Sequence, residues 1–261
     1  MKQVLVNKLQ AIENEYQVTI LLASEAGSRA WGFPSPDSDY DIRFIYRRKA
    51  DDYLSLFSKS DVIELGVNHK LGGTPLDMGG WDLDKALRLL GKSNMPLMEW
   101  VYSPIVYQAD PDFLERIRQL AQTHFVPAAG YYHYQSMAKK YAELCEAKDY
   151  KLKHLFYALR TALAASWIVE KQTMPPVRFD RLLEELPVDA IVREEVAALI
   201  TLKATKLESY RYPASAALRA FLQQVMDESE GRSKQLPGRR AVVPKKDVLS
   251  LDRFFKEVVL S

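Results

Sequence analysis

A single cysteine, Cys145, stands in the 261 residues, so no disulfide can form within the chain, and the count fits a reducing compartment. No stretch approaches the roughly 18 apolar residues that a membrane-spanning helix needs. The opening Met1-Lys2-Gln3-Val4-Leu5-Val6-Asn7-Lys8 lacks the apolar core and small-residue cleavage site of a secretory signal. A cytoplasmic protein without a membrane partner is therefore expected. A dominant charge is missing too: 36 Lys and Arg against 34 Asp and Glu leave a net +2, so any affinity for nucleic acid has to come from local clusters. The four histidines, His69, His124, His133 and His154, show no metal-ligand spacing with Cys145, which argues against a zinc site. What remains, 48% hydrophobic and 27% charged, is the composition of a globular protein long enough for one large domain or two modest ones.

The order of patterns predicts an α+β half followed by a helical half. A helix over 4–15 precedes an apolar β-rich run at 18–22 that ends near Gly27, and 40–46 reads as a second strand. Runs at 62–67 and 75–83, separated by Gly72-Gly73, suggest a hairpin, and helical spacing follows at 83–90 and 97–102. Beyond Tyr107 the apolar spacing is helical at 113–122, 131–146, 152–170, 191–206, 215–226 and 248–259, with Pro127, Pro175-Pro176, Pro187 and Pro213 between the segments. The expected division is a catalytic domain at 1–107 and a helical domain at 108–261.

The chemistry concentrates in Gly27-Ser28-Arg29-Ala30-Trp31-Gly32-Phe33-Pro34-Ser35-Pro36-Asp37-Ser38-Asp39-Tyr40-Asp41-Ile42-Arg43. A glycine after a strand lets the chain turn with no side chain in the way, so the next N–H groups and the Ser28 hydroxyl can approach a phosphate. Asp39 and Asp41, two apart at a strand start, share one face by alternation. Two such anions repel, and a divalent cation compensates them; oxygen ligands of this kind suit Mg²⁺ or Mn²⁺. A two-ion site calls for another carboxylate. Asp77, between apolar neighbours in the strand candidate at 75–83, is the choice over Asp82, which reads as a helix N-cap, and over Glu64.

Gly27-Ser28, Asp39-Tyr40-Asp41 and the apolar-flanked Asp77 together resemble the signature of the DNA polymerase β superfamily of nucleotidyltransferases. The longer stretch Gly-Ser-Arg-Ala-Trp-Gly-Phe, followed by Ser-Asp-Tyr-Asp-Ile-Arg-Phe-Ile-Tyr, is similar to the family called YcgL or RlaP, the latter named for association with RNA ligases. Likeness continues through Gly80-Trp81-Asp82-Leu83, Lys92-Ser93-Asn94, Glu99-Trp100, Ser103-Pro104-Ile105-Val106-Tyr107 and Tyr157-Ala158-Leu159-Arg160. The resemblance implies a palm of mixed sheet and helices, metal ligation by Asp39, Asp41 and Asp77, and Gly27-Ser28 on the β/γ-phosphates. It also implies transfer of a nucleoside monophosphate from an NTP, ATP first among them, to an acceptor hydroxyl with pyrophosphate release. RNA ends, a protein or a small molecule are the acceptor classes. A non-catalytic nucleotide or RNA sensor on the same fold is the competing reading.

Arg29, Arg43, Lys92 and Ser93 are further nucleotide-binding candidates; each arginine has carboxylate pairing as its alternative, and Lys92 follows a helix end where a cation suits the dipole. Lys153 with Arg160, and Lys203 with Lys206, read as cations bordering a cleft or as solvated helix faces. Arg232, Lys234, Arg239, Arg240, Lys245 and Lys246, with no acid between 231 and 246, read as a basic loop for polyphosphate or RNA, or as a connector. Arg118 and His124 form an R-x5-H pattern like that of helical ribonuclease domains, with a dipole-satisfying role as the simpler account.

Overall fold

In the computed structural model, which describes residues 2–146, 150–213, 215–237 and 245–261, the opening helix α1 (Lys2–Tyr16) leads into β1 (Thr19–Glu25). The short α2 (Gly27–Trp31) follows, then β2 (Tyr40–Arg47), α3 (Ala50–Tyr53), β3 (Val62–Leu71), β4 (Thr74–Asp82), α4 (Leu83–Leu90), α5 (Met95–Val101), β5 (Val106–Ala109) and α6 (Pro111–His124). These elements and a C-terminal helix form one compact unit, Met1–Ala30 with Asp39–His124 and Arg240–Ser261.

Its sheet runs β3-β4-β2-β1-β5. β1 pairs antiparallel with β2 and with β5, β2 pairs parallel with β4, and β3 joins β4 antiparallel through Gly72 and Gly73, whose φ values of 58° and 91° permit the tight turn. The expected hairpin is therefore present. α1 covers one face, packing Leu5, Leu9 and Ile12 on Ile20, Ala23, Ile42, Phe44 and Met78. On the other, Leu21 and Ile45 meet Leu83, Leu87, Leu90, Leu97, Phe113, Ile117 and Phe254. Strand β4 alternates accordingly, with Leu76, Met78 and Asp82 buried and Asp77 half-buried on the opposite face. Asp82 caps α4, accepting from the Asp84 N–H, and pairs with Arg48 at 3.5 Å, as its position before a helical run suggested.

The second unit, Trp31–Ser38 with Phe125–Arg239, is helical. It contains α7 (Pro127–Glu143), α8 (Leu152–Lys171), α9 (Phe179–Glu185), α10 (Ala190–Lys203) and α11 (Ala216–Ser233), with a two-strand ribbon of β6 (Tyr150–Lys151) and β7 (Arg211–Tyr212). α8 is buried nearly all round, which marks it as the central helix. The final helix, α12 (Lys245–Leu260), returns to the first unit, where Phe254 stacks on Phe113 at 5.6 Å. By contact, α6 and α12 thus pack with the sheet, although their helical spacing had grouped them with the second half.

Two expectations about charge need correcting. Arg160 is 1% exposed and Lys203 2%, so neither belongs to a solvated helix face or borders an open cleft. Arg160 donates to the Val177 carbonyl and lies 4.3 Å over the Trp31 ring, while Lys203 Nζ donates to Ser35 Oγ at 2.8 Å. The basic stretch from Gly231 is also not a loop at its start, because α11 continues to Ser233 and carries Arg232 against Glu170. Arg239 and Arg240, and the side chains of Lys245 and Lys246, lie outside the described residues.

Candidate active site

Three strands meet where β1 stops, β2 starts and β4 passes beside it. β1 carries the apolar run Ile20–Ala23 and ends in the polar Ser24 and Glu25, and Gly27 then turns the chain with φ 61°. The turn is tied to β2 by the Ala26 N–H donating to the Asp41 carbonyl at 2.8 Å. Gly27 is required by space as well as by φ: a Cβ on it would lie 2.2 Å from Asp41 Oδ2. The Asp41 carboxylate is therefore pressed directly against the turn that carries Ser28, which is itself buried.

Asp41 and Asp77 are register partners in the parallel β2/β4 ladder, neighbours across a strand spacing of about 4.8 Å. Their carboxylates converge on one guanidinium nitrogen, Arg43 Nη2, at 3.6 Å from Asp41 Oδ1 and 2.6 Å from Asp77 Oδ2. Asp39 lies one residue before β2 and is exposed; its carbonyl accepts from Arg29 Nε at 2.9 Å, and the Arg29 guanidinium rests 3.9 Å over the Tyr40 ring. Lys92 and Ser93 sit in the α4–α5 turn, Lys92 exposed and Ser93 buried at φ 57°, and their main-chain N–H groups donate to Leu89 and Leu90. The contacts thus join Asp41, Asp77, Arg43 and Gly27 directly and Arg29 to Asp39.

Among the described residues no three His, Cys, Asp or Glu side chains gather closely enough to hold a metal ion. Uncompensated carboxylates repel, and in this geometry Asp41 and Asp77 are bridged by an arginine. The donor set itself fits a hard divalent cation, with two carboxylates on adjacent strands already converging on a positive charge and a third acid two residues upstream.

Glu25 and Tyr107 are parts of this region that sequence reasoning missed. Glu25 is fully buried; its Oε1 accepts the Asp41 N–H at 2.8 Å and its other oxygen accepts from the Tyr107 hydroxyl. Burial raises the Glu25 carboxyl above its ordinary value, with the Tyr107 and Asp41 N–H bonds opposing and the Asp41 charge adding to the rise. Burial and the adjacent Glu25 likewise raise the Tyr107 phenol. A signal was present, since an acid that closes a strand after the apolar run Ile20–Ala23 has to be satisfied by something, but the partner is 82 residues away. Arg118 and His124, by contrast, serve the fold: Arg118 Nε donates to the Val101 carbonyl, and His124 meets Ser250 Oγ at 3.4 Å.

A mixed sheet with flanking helices, a Gly-Ser turn and paired aspartates on neighbouring strands make up the polymerase β-like nucleotidyltransferase class of fold. Within that class the chain belongs to the RNA repair pathway DNA polymerase beta family, RlaP, whose model matches residues 1–257. It is similar to the uncharacterized protein YcgL of Bacillus subtilis (strain 168), 44% identical over 204 residues, which are 78% of this chain and 76% of that one. A solved nucleotidyltransferase-like protein from Exiguobacterium sibiricum 255-15 aligns over 95% of this chain and 77% of its own, at 14% identity and a TM-score of 0.29, too low to bear weight. No described helix is long and apolar enough to cross a membrane.

Proposed function

We propose that this chain is a metal-dependent nucleotidyltransferase that moves a nucleoside monophosphate from an NTP to an acceptor hydroxyl and releases pyrophosphate. The observation that carries the reading is the convergence of Asp41 and Asp77, from strands separated in sequence, on one positive charge beside the Gly27-Ser28 turn. Asp39, Asp41 and Asp77 would hold two Mg²⁺ or Mn²⁺ ions. Bound there, such ions supply acidification of the acceptor hydroxyl and neutralisation of charge on the triphosphate.

The protein's own groups do the rest. Main-chain N–H groups after Gly27 and the Ser28 hydroxyl grip the β/γ-phosphates, an approach that a side chain at 27 would block. Arg29, anchored by Nε on the Asp39 carbonyl and by its face on Tyr40, brings a fixed guanidinium charge to the phosphate oxygens. Lys92 brings a further cation and Ser93 a hydroxyl from the α4–α5 turn. Asp77 receives the proton of the attacking hydroxyl. Glu25 holds the Asp41 main chain, and so the carboxylate's position, through its bond to the Asp41 N–H. The sheet unit carries this catalysis, in the cytoplasm; ATP is the favoured NTP, and an RNA end the favoured acceptor given the family's place in RNA repair.

Incubation with each α-labelled NTP, Mg²⁺ or Mn²⁺, and RNA of defined ends, with protein and small-molecule acceptors alongside, tests the proposal. Label in the acceptor and stoichiometric pyrophosphate, both lost in Asp41→Asn, are the expected results. Tight NTP binding without turnover under every metal and acceptor would replace this reading with that of a non-catalytic sensor.

A further inference from the structure

The geometry around Arg43 assigns that residue a role beyond phosphate binding. Arg43 follows Asp41 by two on β2, so both side chains leave the same face of the sheet, and Asp77 stands beside Asp41 on β4. Nη2 serves both carboxylates at once, at 2.6 and 3.6 Å, while Nη1 donates to the Ile42 carbonyl at 3.2 Å. The register partner of Arg43 is Gly79, where a Cβ would meet Nη1 at 3.6 Å, an ordinary contact, so the neighbouring strand leaves the guanidinium room. One nitrogen between two acids is the arrangement of a point charge, in contrast to the two-nitrogen fork that arginine uses for a single carboxylate.

We propose that Arg43 is the resident counter-cation of the acid pair: it sits between Asp41 and Asp77 when no metal is bound, and a divalent cation has to displace it to reach them. The proposal rests on the nucleotidyltransferase reading of the site. The side chains are 22% exposed for Arg43, 29% for Asp41 and 33% for Asp77, so the pairing is reached by water. An ion pair in that setting is screened and exchangeable, whereas one sealed in the interior would resist exchange because of the cost of unpairing a buried charge. A doubly charged ion with hard oxygen preference outcompetes a single delocalised charge for two carboxylates. The displaced guanidinium, still tethered to β2, is then close to the anion that arrives with the metal, the triphosphate, and binds it by its fork. Arg43 thereby holds the acids together in the empty protein and rewards NTP arrival in the loaded one.

Equilibrium binding of Mn²⁺ alone, followed by the electron paramagnetic resonance of the unbound ion, tests this on the full chain without any turnover. Arg43→Gln is expected to bind Mn²⁺ roughly three- to tenfold more tightly than the parent, the worth of removing a half-exposed competing pair. The same variant should melt at a lower temperature in chelator and be stabilised by Mn²⁺ more than the parent is. Arg43→Lys, which keeps a competing charge, should fall between the two and decides the matter if Arg43→Gln does not fold. Unchanged or weaker Mn²⁺ binding in Arg43→Gln, or in Arg43→Lys if only that variant folds, would overturn the counter-cation role while leaving the metal site intact. Failure of the parent to bind Mn²⁺ in a manner sensitive to Asp41→Asn would instead remove the nucleotidyltransferase reading itself.

Discussion

The Asp41 carboxylate fills the place where a side chain on Gly27 would begin, and that crowding makes residue-scale predictions sharp. Gly27→Ala puts a methyl 2.2 Å from Asp41 Oδ2 at φ 61°, so it is expected to cost about 1–3 kcal/mol of stability and to push the carboxylate off its place. Thermal melts together with Mn²⁺ titration check both effects; a variant of parental stability and metal affinity would show that the turn is looser than described. Asp77→Asn should lower transfer at least about 100-fold while leaving the fold intact, since a half-exposed amide is tolerated where a metal-binding carboxylate is not replaceable. Glu25→Ala removes the acceptor of two hydrogen bonds from a fully buried position and should cost about 1–3 kcal/mol, read by denaturant unfolding. The placement of Asp41 and Asp77 on two strands of the sheet was legible in the sequence, because β-rich runs and apolar flanks are local patterns. Glu25 was not, because its role depends on Tyr107 from another strand.

At the scale of elements, the segment Trp31–Ser38 between the Gly-Ser turn and Asp39 is held within the helical unit. Phe33 stacks on Phe156 at 5.0 Å, Trp31 meets Tyr157 edge-on at 4.9 Å, Ser38 Oγ donates to Glu208 at 2.9 Å, and Lys203 Nζ reaches Ser35. Burial pushes Lys203 down to about 8, with Glu208 and Asp37 opposing and Lys153 adding to the fall. Between that value and the ordinary 10.5 the unfolded chain holds more protons than the folded one, so this lysine makes stability rise with pH across that window. Lys203→Met should abolish the rise, measured as the change in melting temperature between about pH 7.5 and about pH 9.5 in variant and parent. Parallel pH slopes in the two proteins would place the lysine in a solvated setting. The helices carrying these cations were readable from apolar spacing, and β3 with β4 from the Gly-Gly turn. The burial of Arg160 and Lys203 was not, because spacing reports which face a residue occupies and is silent on what covers that face.

For the molecule as a whole, the sequence order of patterns gave the class, a mixed sheet followed by helices, and the signature from Gly27 to Arg43 gave the family. It did not give the return of the chain to the sheet unit at its C-terminus. α12 has the spacing of any amphipathic helix, and only its partners, Phe113 and Ile117 on α6 and Leu90 on α4, identify it as part of that core. Phe254 is 3% exposed there, so Phe254→Ala should destabilise the sheet unit by about 3–5 kcal/mol, visible in a denaturant melt. The central claim concerns the acids on the sheet, and its most direct test is a crystal of the full chain grown with Mn²⁺ and a non-hydrolysable NTP, read by anomalous scattering. The expected result is manganese bound by Asp39, Asp41 and Asp77, with the triphosphate at Gly27-Ser28 and Arg43 turned from the acids to a phosphate. Manganese carried elsewhere, with Arg43 still bridging Asp41 and Asp77, would contradict it.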